Sequence, residues 1–490
     1  MSLKQKTVSG LIWSFIDSFA NQGLLFLIGI VLARLLTPEE FGLIGMLTIF
    51  IAVSQTFIDS GFGQSLIRKK HCTEQDYSTV FYYNLISGLL FYALLFASAS
   101  SIGDFFNKAQ LKAILPVLGL NLIIGSIGLI QQTILIKNVN FKLQTKISLT
   151  SSIVSGIVGI GMALSGAGVW SLVFQSLTQN TLKTALLWIW NRWKPSAVFS
   201  MKSFKEMFGF GSKLMVSQLI DTIYRNIYYL IIGKYFSAQE LGYYTRARQF
   251  SIMPMQVMTE VMQRVSYPVL SHIQDEQDRL KSAYRKLIKS STLVSFVLMA
   301  GLAAIARPLV ITLIGEKWSA SIIYLQLLCF VAMLYPLQAI NLNMLKVKGR
   351  SDLFLRLEII KKVLVVPVII VGVMYGIKVM IIGSIVNSII SYFLNSYWSG
   401  KLVKYPAKEQ MMDIFPPFAI SLVMGMSMYE LGLLMSYKPF IVMFIQILFG
   451  GFILYFSTKF VKLDSYVEIK EIIKEKMSQK ISGGIQDEEI

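Results

Sequence analysis

Charged and amide side chains interrupt several of the longest apolar segments of the chain, and their chemistry could define a function. The most extended set, in the segment 241–270, comprises Arg246, Gln249, Gln256, Glu260 and Gln263. Their spacings of three, seven, four and three residues place them on one face of a helix. That face is about 25 Å long and could bind an anion or the hydroxyl groups of a polar molecule. We predict that it lines water or another helix, because it is too polar to face lipid.

Two bases in these segments have no acidic residue one helical turn away. Lys183 lies well inside the segment 168–190, and Arg246 begins the polar face of the segment 241–270. A charge at the bilayer centre costs about 2.5–3.5 kcal/mol on insertion scales, so such side chains are expected to face a cavity or a partner. We predict a functional role for both bases.

The carboxylates within the apolar segments are Asp17, Asp59, Asp221 and Glu260. The last two precede Arg225 and Arg264 by four residues, so each acid could simply neutralise the base on the next turn. All four could instead take part in ion coupling. For Asp17 and Asp59 a further alternative is a hydrogen bond to a neighbouring helix, and the sequence leaves these possibilities open.

Fourteen apolar segments must position these side chains. Of the 490 residues, 54% are hydrophobic and 15% are charged, and the mean hydropathy is +0.60. A soluble protein would carry about 25% charged residues, and each bilayer crossing needs about 20 apolar residues. The composition therefore predicts an all-α polytopic membrane protein. The predicted crossings are 11–36, 41–67, 77–100, 111–135, 147–166, 168–190, 209–233, 241–270, 290–313, 320–345, 357–375, 378–399, 414–436 and 439–457.

The distribution of basic residues predicts the orientation of the chain. If the N-terminus is cytoplasmic, the inward connections and tails carry about 32 of the 46 Lys and Arg residues, and the outward connections carry about 7. Cytoplasmic loops of membrane proteins are enriched in these residues. We therefore place both termini in the cytoplasm. The same bias accounts for the net charge of +19, so we expect no binding to nucleic acid.

The chain lacks the usual motifs of metal, cofactor and nucleotide sites. Its two cysteines, Cys72 and Cys329, have no CxxC spacing, and its two histidines, His71 and His272, lie in polar connectors. No GxxxxGK[ST] phosphate loop or HExxH motif occurs. We predict no cofactor and no hydrolysis of ATP by this chain.

An internal repeat organises the sequence. The segment 34–42 (RLLTPEEFG) aligns without gaps with the segment 234–242 (KYFSAQELG), and two shorter matches follow in the same order. Six predicted crossings separate the copies, so the copies share one orientation, as in transporters built from parallel repeats. We predict two six-helix lobes, 1–200 and 201–400, followed by two additional helices within 401–458. Residues 459–490 then form a cytoplasmic tail that begins as an amphipathic helix.

The same motifs resemble a known family. The segments 32–42 (LARLLTPEEFG), 59–70 (DSGFGQSLIRKK) and 231–244 (IIGKYFSAQELGYY) are similar to signatures of bacterial polysaccharide transporters. These are the Wzx-type flippases of lipid-linked oligosaccharides, in the superfamily that includes the MATE drug exporters. The resemblance implies transfer of an undecaprenyl-diphosphate-linked oligosaccharide across the bacterial cytoplasmic membrane, in O-antigen, capsule or exopolysaccharide synthesis, by alternating access between two lobes.

The resemblance also implies that basic residues of a cavity bind the anionic carrier. The candidates are Lys183, Arg225, Arg246 and Arg264, with Gln249 and Gln256 beside them. Relatives often place an acid where this chain has the segment 224–230 (YRNIYYL), so ion coupling would depend on Asp221 or on another acid. The expected partners are the lipid-linked oligosaccharide, membrane lipids, and the polymerase and export machinery of polysaccharide synthesis.

Two other functions remain as alternatives. A cation-coupled exporter of small hydrophobic molecules would have the same architecture but would not need basic residues in its cavity. A glycan polymerase or ligase would need a sizeable external loop, and no predicted outward connection exceeds about a dozen residues.

Overall fold

The fold is entirely helical in the part of the chain that the structure describes. The computed structural model describes the backbone of residues 3–460, and it describes their side chains except at 3–12, 14–18, 261, 264 and 265. Within this range the regular elements are α-helices and one 3₁₀ turn. The prediction of an all-α polytopic membrane protein is confirmed. The predicted amphipathic tail lies outside the described residues from 461 onward.

The chain divides at Thr245 into two compact units, residues 1–245 and 246–490. The first unit contains eight helices and the start of a ninth, α9 (Ala238–His272). The eight are α1 (Leu3–Leu35), α2 (Pro38–Asp59), α3 (Phe62–Arg68), α4 (Glu74–Phe105), α5 (Gln110–Lys137), α6 (Phe141–Leu164), α7 (Trp170–Asn191) and α8 (Met201–Tyr235). The predicted lobes, 1–200 and 201–400, were inferred from the internal repeat and not from compactness, so they stay a prediction.

The second unit contains the rest of α9 and nine further helices. These are α10 (Gln277–Ala304), α11 (Ala306–Ile314), α12 (Ser321–Ala332), α13 (Tyr335–Val347), α14 (Ser351–Val363), α15 (Val365–Tyr375), α16 (Ile377–Val403), α17 (Ala407–Leu434) and α18 (Pro439–Phe460). Its closest helix pairings are α10 with α17, α15 with α16 and α17 with α18.

Nine helices among the described residues are long and apolar enough to cross a bilayer. Seven of these spans are α4, α5, α6, α10, α16, α17 and α18, and each of the other two is a pair of consecutive helices, α2 with α3 over Pro38–Arg68 and α12 with α13 over Ser321–Val347. Helices α8 and α9 are long enough to cross, but their charged and amide residues make them less apolar than these nine spans. The total of fourteen crossings stays a prediction.

Three predicted crossings, 290–313, 320–345 and 357–375, are each divided into two helices. The first helices of these pairs end at Ala304, Ala332 and Val363. A proline follows each of these ends by four residues, at Pro308, Pro336 and Pro367. Proline has no N–H to donate to the carbonyl four residues earlier, so the helix is interrupted there. The apolar pattern predicted these segments as crossings and did not specify the breaks, and other prolines, such as Pro116 in α5 and Pro254 in α9, lie inside unbroken helices.

The repeated motifs begin helices in the same way. Thr37 caps α2: its Oγ1 accepts the N–H of Glu40 at 3.4 Å, and its own N–H donates to Glu40 Oε2 at 2.6 Å. In the second copy, Ser237 Oγ accepts the N–H of Glu240 at 3.0 Å, immediately before α9. A hydroxyl cap contributes about 1 kcal/mol to helix stability. The hydroxyl and the acid recur in the sequence because both copies start a helix at this point.

Candidate functional site

A cavity of about 490 Å³ lies in the first unit, between α2, α5 and α7, and its lining combines apolar side chains with several polar ones. Among the lining residues whose side chains the structure describes, Lys183 is the one with a formal charge. The other polar lining residues include Gln55 of α2, Asn121 of α5, and Ser176, Asn180 and Thr184 of α7. Amides and hydroxyls can both donate and accept hydrogen bonds, and an ammonium can only donate. The cavity can therefore bind a ligand with several hydroxyl groups and one anionic group.

A ladder of hydrogen bonds fixes α7 against α5 and so positions this wall of the cavity. Asn180 Nδ2 donates to Asn121 Oδ1 at 2.6 Å, and Thr184 Oγ1 donates to the carbonyl of Ile124 at 3.1 Å. One turn further along, Trp188 Nε1 donates to the carbonyl of Ile127 at 3.1 Å. The donors are four residues apart, so they share one face of α7.

This ladder determines where Lys183 lies. Lys183 is flanked by Asn180 and Thr184, whose side chains bind α5, and it contributes to the same cavity wall. Gln55 reaches the cavity from α2. The structure thus brings together Lys183 and Gln55, which are 128 positions apart in the sequence. Sequence analysis identified Lys183 but missed Asn121, Asn180 and Thr184, although the four-residue spacing of the polar residues in α7 was a usable signal.

Asp59 lies at an interruption between two helices. It is the last residue of α2, and its carboxylate accepts the backbone N–H of Gly63 in the first turn of α3. Between them, Ser60 and Gly61 adopt left-handed backbone angles, with φ of 44° and 70°. The predicted crossing 41–67 is therefore bent here, and Asp59 bridges the bend. Asp59 does not line the cavity described above.

The other candidates of the first unit lie apart from the cavity. Asp221 and Arg225 are one turn apart on α8, where Asp221 is half-buried and Arg225 is exposed. The cavity walls come from α2, α5 and α7, so neither residue contributes to them. Asp17 lies in α1, and its side chain is outside the described residues.

The polar face of α9 belongs to the second unit. Arg246 is 9% exposed and donates from Nη1 to Gln249 Oε1 at 2.5 Å, which agrees with their predicted position on one face. Gln249, Gln256 and Glu260 are exposed. The side chain of Arg264 lies outside the described residues.

The second unit also contains an ionic cluster that sequence analysis did not identify. Arg285 of α10 forms a two-pronged contact with Asp413 of α17, with Nε–Oδ2 at 2.6 Å and Nη2–Oδ1 at 2.7 Å. Lys281 pairs with Glu409 at 3.0 Å, one turn earlier on both helices. Tyr405 donates to Asp413 Oδ2 at 2.5 Å, and burial together with this carboxylate raises the pKa of Tyr405. The acids and bases stand four residues apart on both helices, so the cluster joins α10 to α17.

Known proteins resemble this chain along most of its length. A Bacillus subtilis protein, the teichuronic acid biosynthesis protein TuaB, is 28% identical over 445 residues, which covers 88% of this chain and 90% of that protein. The lipopolysaccharide biosynthesis protein WzxC of Escherichia coli is 26% identical over 447 residues and covers 89% of each. The succinoglycan biosynthesis transport protein ExoT of Rhizobium meliloti is 24% identical over 307 residues, or 63% of this chain and 62% of that protein.

Two solved structures share the fold. The lipid II flippase MurJ, in an inward closed conformation, has a TM-score of 0.75 at 17% identity and covers 92% of this chain and 99% of that one. An inward-facing multidrug resistance transporter of the MATE family has a TM-score of 0.61 at 17% identity, over 79% of this chain and 96% of that one. Residues 31–323 match the family described as polysaccharide biosynthesis protein. The chain is a polytopic membrane protein that belongs to this family.

Proposed function

We propose that the chain moves an oligosaccharide linked to undecaprenyl diphosphate from the inner to the outer leaflet of the bacterial cytoplasmic membrane. The family and the names of the relatives support a role in polysaccharide synthesis. The observation that carries the proposal is the cavity of the first unit, with its amides, its hydroxyls and Lys183. A sugar offers hydroxyls that both donate and accept, and a diphosphate offers the negative charge that an ammonium can bind.

The proposed mechanism is alternating access between two lobes. Lys183 and Arg246 bind the diphosphate, Arg225 and Arg264 supply further positive charge, and Gln249 and Gln256 bind sugar hydroxyls. Parallel-repeat transporters move their lobes around a central site, and the recurring helix caps at Thr37 and Ser237 support such a repeat. Coupling to an ion would use one of the four acids, Asp17, Asp59, Asp221 or Glu260.

The proposed location is the cytoplasmic membrane with both termini inside, as the excess of Lys and Arg in alternate connections favours. A flippase at this place would deliver its substrate to the polymerase and export machinery on the outer side.

Labelling of single cysteines placed at residues 70 and 108 with a membrane-impermeant reagent tests the orientation. In intact cells we expect labelling at 108 and none at 70, and the reverse pattern would invert the topology.

A reconstituted assay tests the activity directly. The purified chain is placed in liposomes that carry a fluorescent undecaprenyl-diphosphate-linked oligosaccharide, and dithionite is added outside to bleach the outer-leaflet label. We expect the bleached fraction to rise from about half in protein-free liposomes toward completeness in liposomes with the chain. A bleached fraction equal to that of protein-free liposomes would contradict the proposal.

The second candidate is a cation-coupled exporter of small molecules, which the shared fold with the MATE transporter favours. The lysine in the cavity wall argues against it, because Lys183 would repel a cationic drug. Transport of a hydrophobic cation such as ethidium, without movement of the lipid-linked oligosaccharide, would support the exporter instead.

A further inference from the structure

The outward face of α6 changes from apolar to basic toward the start of the helix. Its exposed side chains include Lys142, Lys146, Ile153, Ile157 and Leu164, at spacings that keep them on one side of the helix. Ile157 is 67% exposed and Leu164 is 69% exposed. Large apolar residues exposed on a membrane-spanning helix contact the acyl chains of lipids. The two lysines therefore continue a lipid-facing surface.

The depth of these lysines matches the headgroup region. The centre of α6 (Phe141–Leu164) falls near Ile153, so Lys142 lies about 16 Å from the centre at 1.5 Å per residue. Half of the hydrocarbon core is about 15 Å thick. Lys142 is thus at the edge of the hydrocarbon, and Lys146, one turn deeper, can extend its side chain to the same level.

Tryptophan rings from both neighbouring helices hold the two ammonium groups. Lys142 Nζ lies 5.7 Å from the ring centroid of Trp13 on α1, and Lys146 Nζ lies 4.6 Å from that of Trp190 on α7. In the part of the chain that the structure describes, neither lysine pairs with a carboxylate. Cation–π contact orients an ammonium without neutralising it. Both positive charges remain available to an anion outside the protein.

The second unit repeats this arrangement on α16. The exposed face of α16 runs through Ile382, Val386 and Phe393 to Tyr397 and Lys401. Lys401 Nζ lies 4.4 Å from the ring centroid of Tyr397. A lipid-facing surface that ends in lysine on an aromatic ring thus occurs in both units.

We propose that Lys142 and Lys146, held by Trp13 and Trp190, bind the headgroup of an anionic phospholipid whose acyl chains lie along α6. An anionic headgroup fits because the two adjacent ammonium groups can both bind one phosphate group. A zwitterionic headgroup such as phosphocholine would bring its own cation close to them. This lipid differs from the proposed transport substrate, since the surface lies on the outside of α6.

Native mass spectrometry of the full-length chain tests the proposal. The delipidated protein is mixed with phosphatidylglycerol or phosphatidylcholine of identical acyl chains. We expect preferential retention of phosphatidylglycerol, and a loss of about fivefold for each lysine that is removed, so that Lys142→Gln with Lys146→Gln abolishes the preference. Inorganic phosphate at millimolar concentration should not displace the lipid, because it lacks acyl chains to contact α6.

Two variants serve as matched controls. Lys70→Gln with Lys202→Gln removes the same charge from exposed positions off this face and should keep the preference. Lys142→Arg with Lys146→Arg keeps both charges and should also keep it. Equal retention of the two lipids by the unaltered chain would overturn the proposal. So would an unchanged preference in the Lys142→Gln, Lys146→Gln variant, or an equal loss in the Lys70→Gln, Lys202→Gln variant.

Discussion

Gly42 and Gly242, which are 200 positions apart in the sequence, make matching close contacts, since each lies against the backbone at the helix start of the other copy of the repeated motif. A Cβ added to Gly42 would overlap the carbonyl oxygen of Ala238, and a Cβ added to Gly242 would overlap that of Pro38. Both residues end the repeated motif, so the motif packs against its own copy. At the other end of α2, a Cβ added to Gly211 would lie 2.6 Å from the carbonyl oxygen of Ser60. The backbone of α2 therefore lies close to that of α9 near its start and to that of α8 near its end.

Replacing Gly42 by Ala should weaken this contact and reduce the flipping proposed above. The added methyl group has no room, and overpacking typically costs about 1–3 kcal/mol. We expect a lower midpoint of thermal unfolding and a slower loss of fluorescence in the liposome assay. Gly161→Ala is the matched control, because an added Cβ there meets nothing within 4 Å. Equal behaviour of the two variants would show that the close contact is not needed.

Replacing Lys183 by Gln should slow the flipping of the lipid-linked oligosaccharide by tenfold or more. The cavity wall would lose the positive charge of Lys183, and a charge-assisted contact is about twice as strong as a neutral hydrogen bond. The thermal midpoint should stay close to that of the unaltered chain, since the ladder from α7 to α5 is intact. The control is Lys194→Gln, an exposed lysine beyond the end of α7. An unchanged rate for Lys183→Gln would remove this residue from the mechanism.

The contact between Asn180 and Asn121 should show strong coupling in a double-mutant cycle. Asn180→Leu leaves the Oδ1 atom of Asn121 without its 2.6 Å partner, and a buried unsatisfied polar group costs about 1–3 kcal/mol. Changing both residues to Leu removes both polar groups, so the double variant should be more stable than the sum of the single changes predicts. Chemical denaturation in detergent measures this cycle. Additive free energies of unfolding would mean that the two amides do not interact in the folded protein.

The ion pair between Arg285 and Asp413 should stabilise the second unit more than an exposed pair does. Asp413→Asn removes a charged partner from two hydrogen bonds of 2.6 and 2.7 Å, and we expect a loss of about 1–3 kcal/mol. The control is Glu276→Gln, which breaks an exposed pair with Arg279 at 2.7 Å and should cost less than about 1 kcal/mol. Thermal unfolding of both variants measures the difference. An equal loss of stability in the two would show that the Asp413 pair stabilises the protein no more than an exposed pair does.

The sequence alone determined that this is a helical membrane protein, and it identified the motifs that start α2 and α9. Both features are local: hydropathy is a property of each segment, and a hydroxyl three residues before an acid caps a helix from within its own first turn. The contact between Arg246 and Gln249 is equally local, because one turn of helix joins them. The missing N–H of proline accounts for the interruptions before Pro308, Pro336 and Pro367, but Pro116 and Pro254 lie inside unbroken helices, so the sequence alone does not determine where a helix is broken.

Only the tertiary structure decided which helices surround Lys183. Periodicity shows which residues of α7 share a face, but it does not show that this face meets Asn121 of α5 or that Gln55 of α2 reaches the same cavity. The same holds for Arg285 and Asp413, which are 128 positions apart, and for Gly42 and Ala238. Such pairings depend on how whole helices pack, and that is set by the summed contacts of many side chains rather than by the spacing of a few.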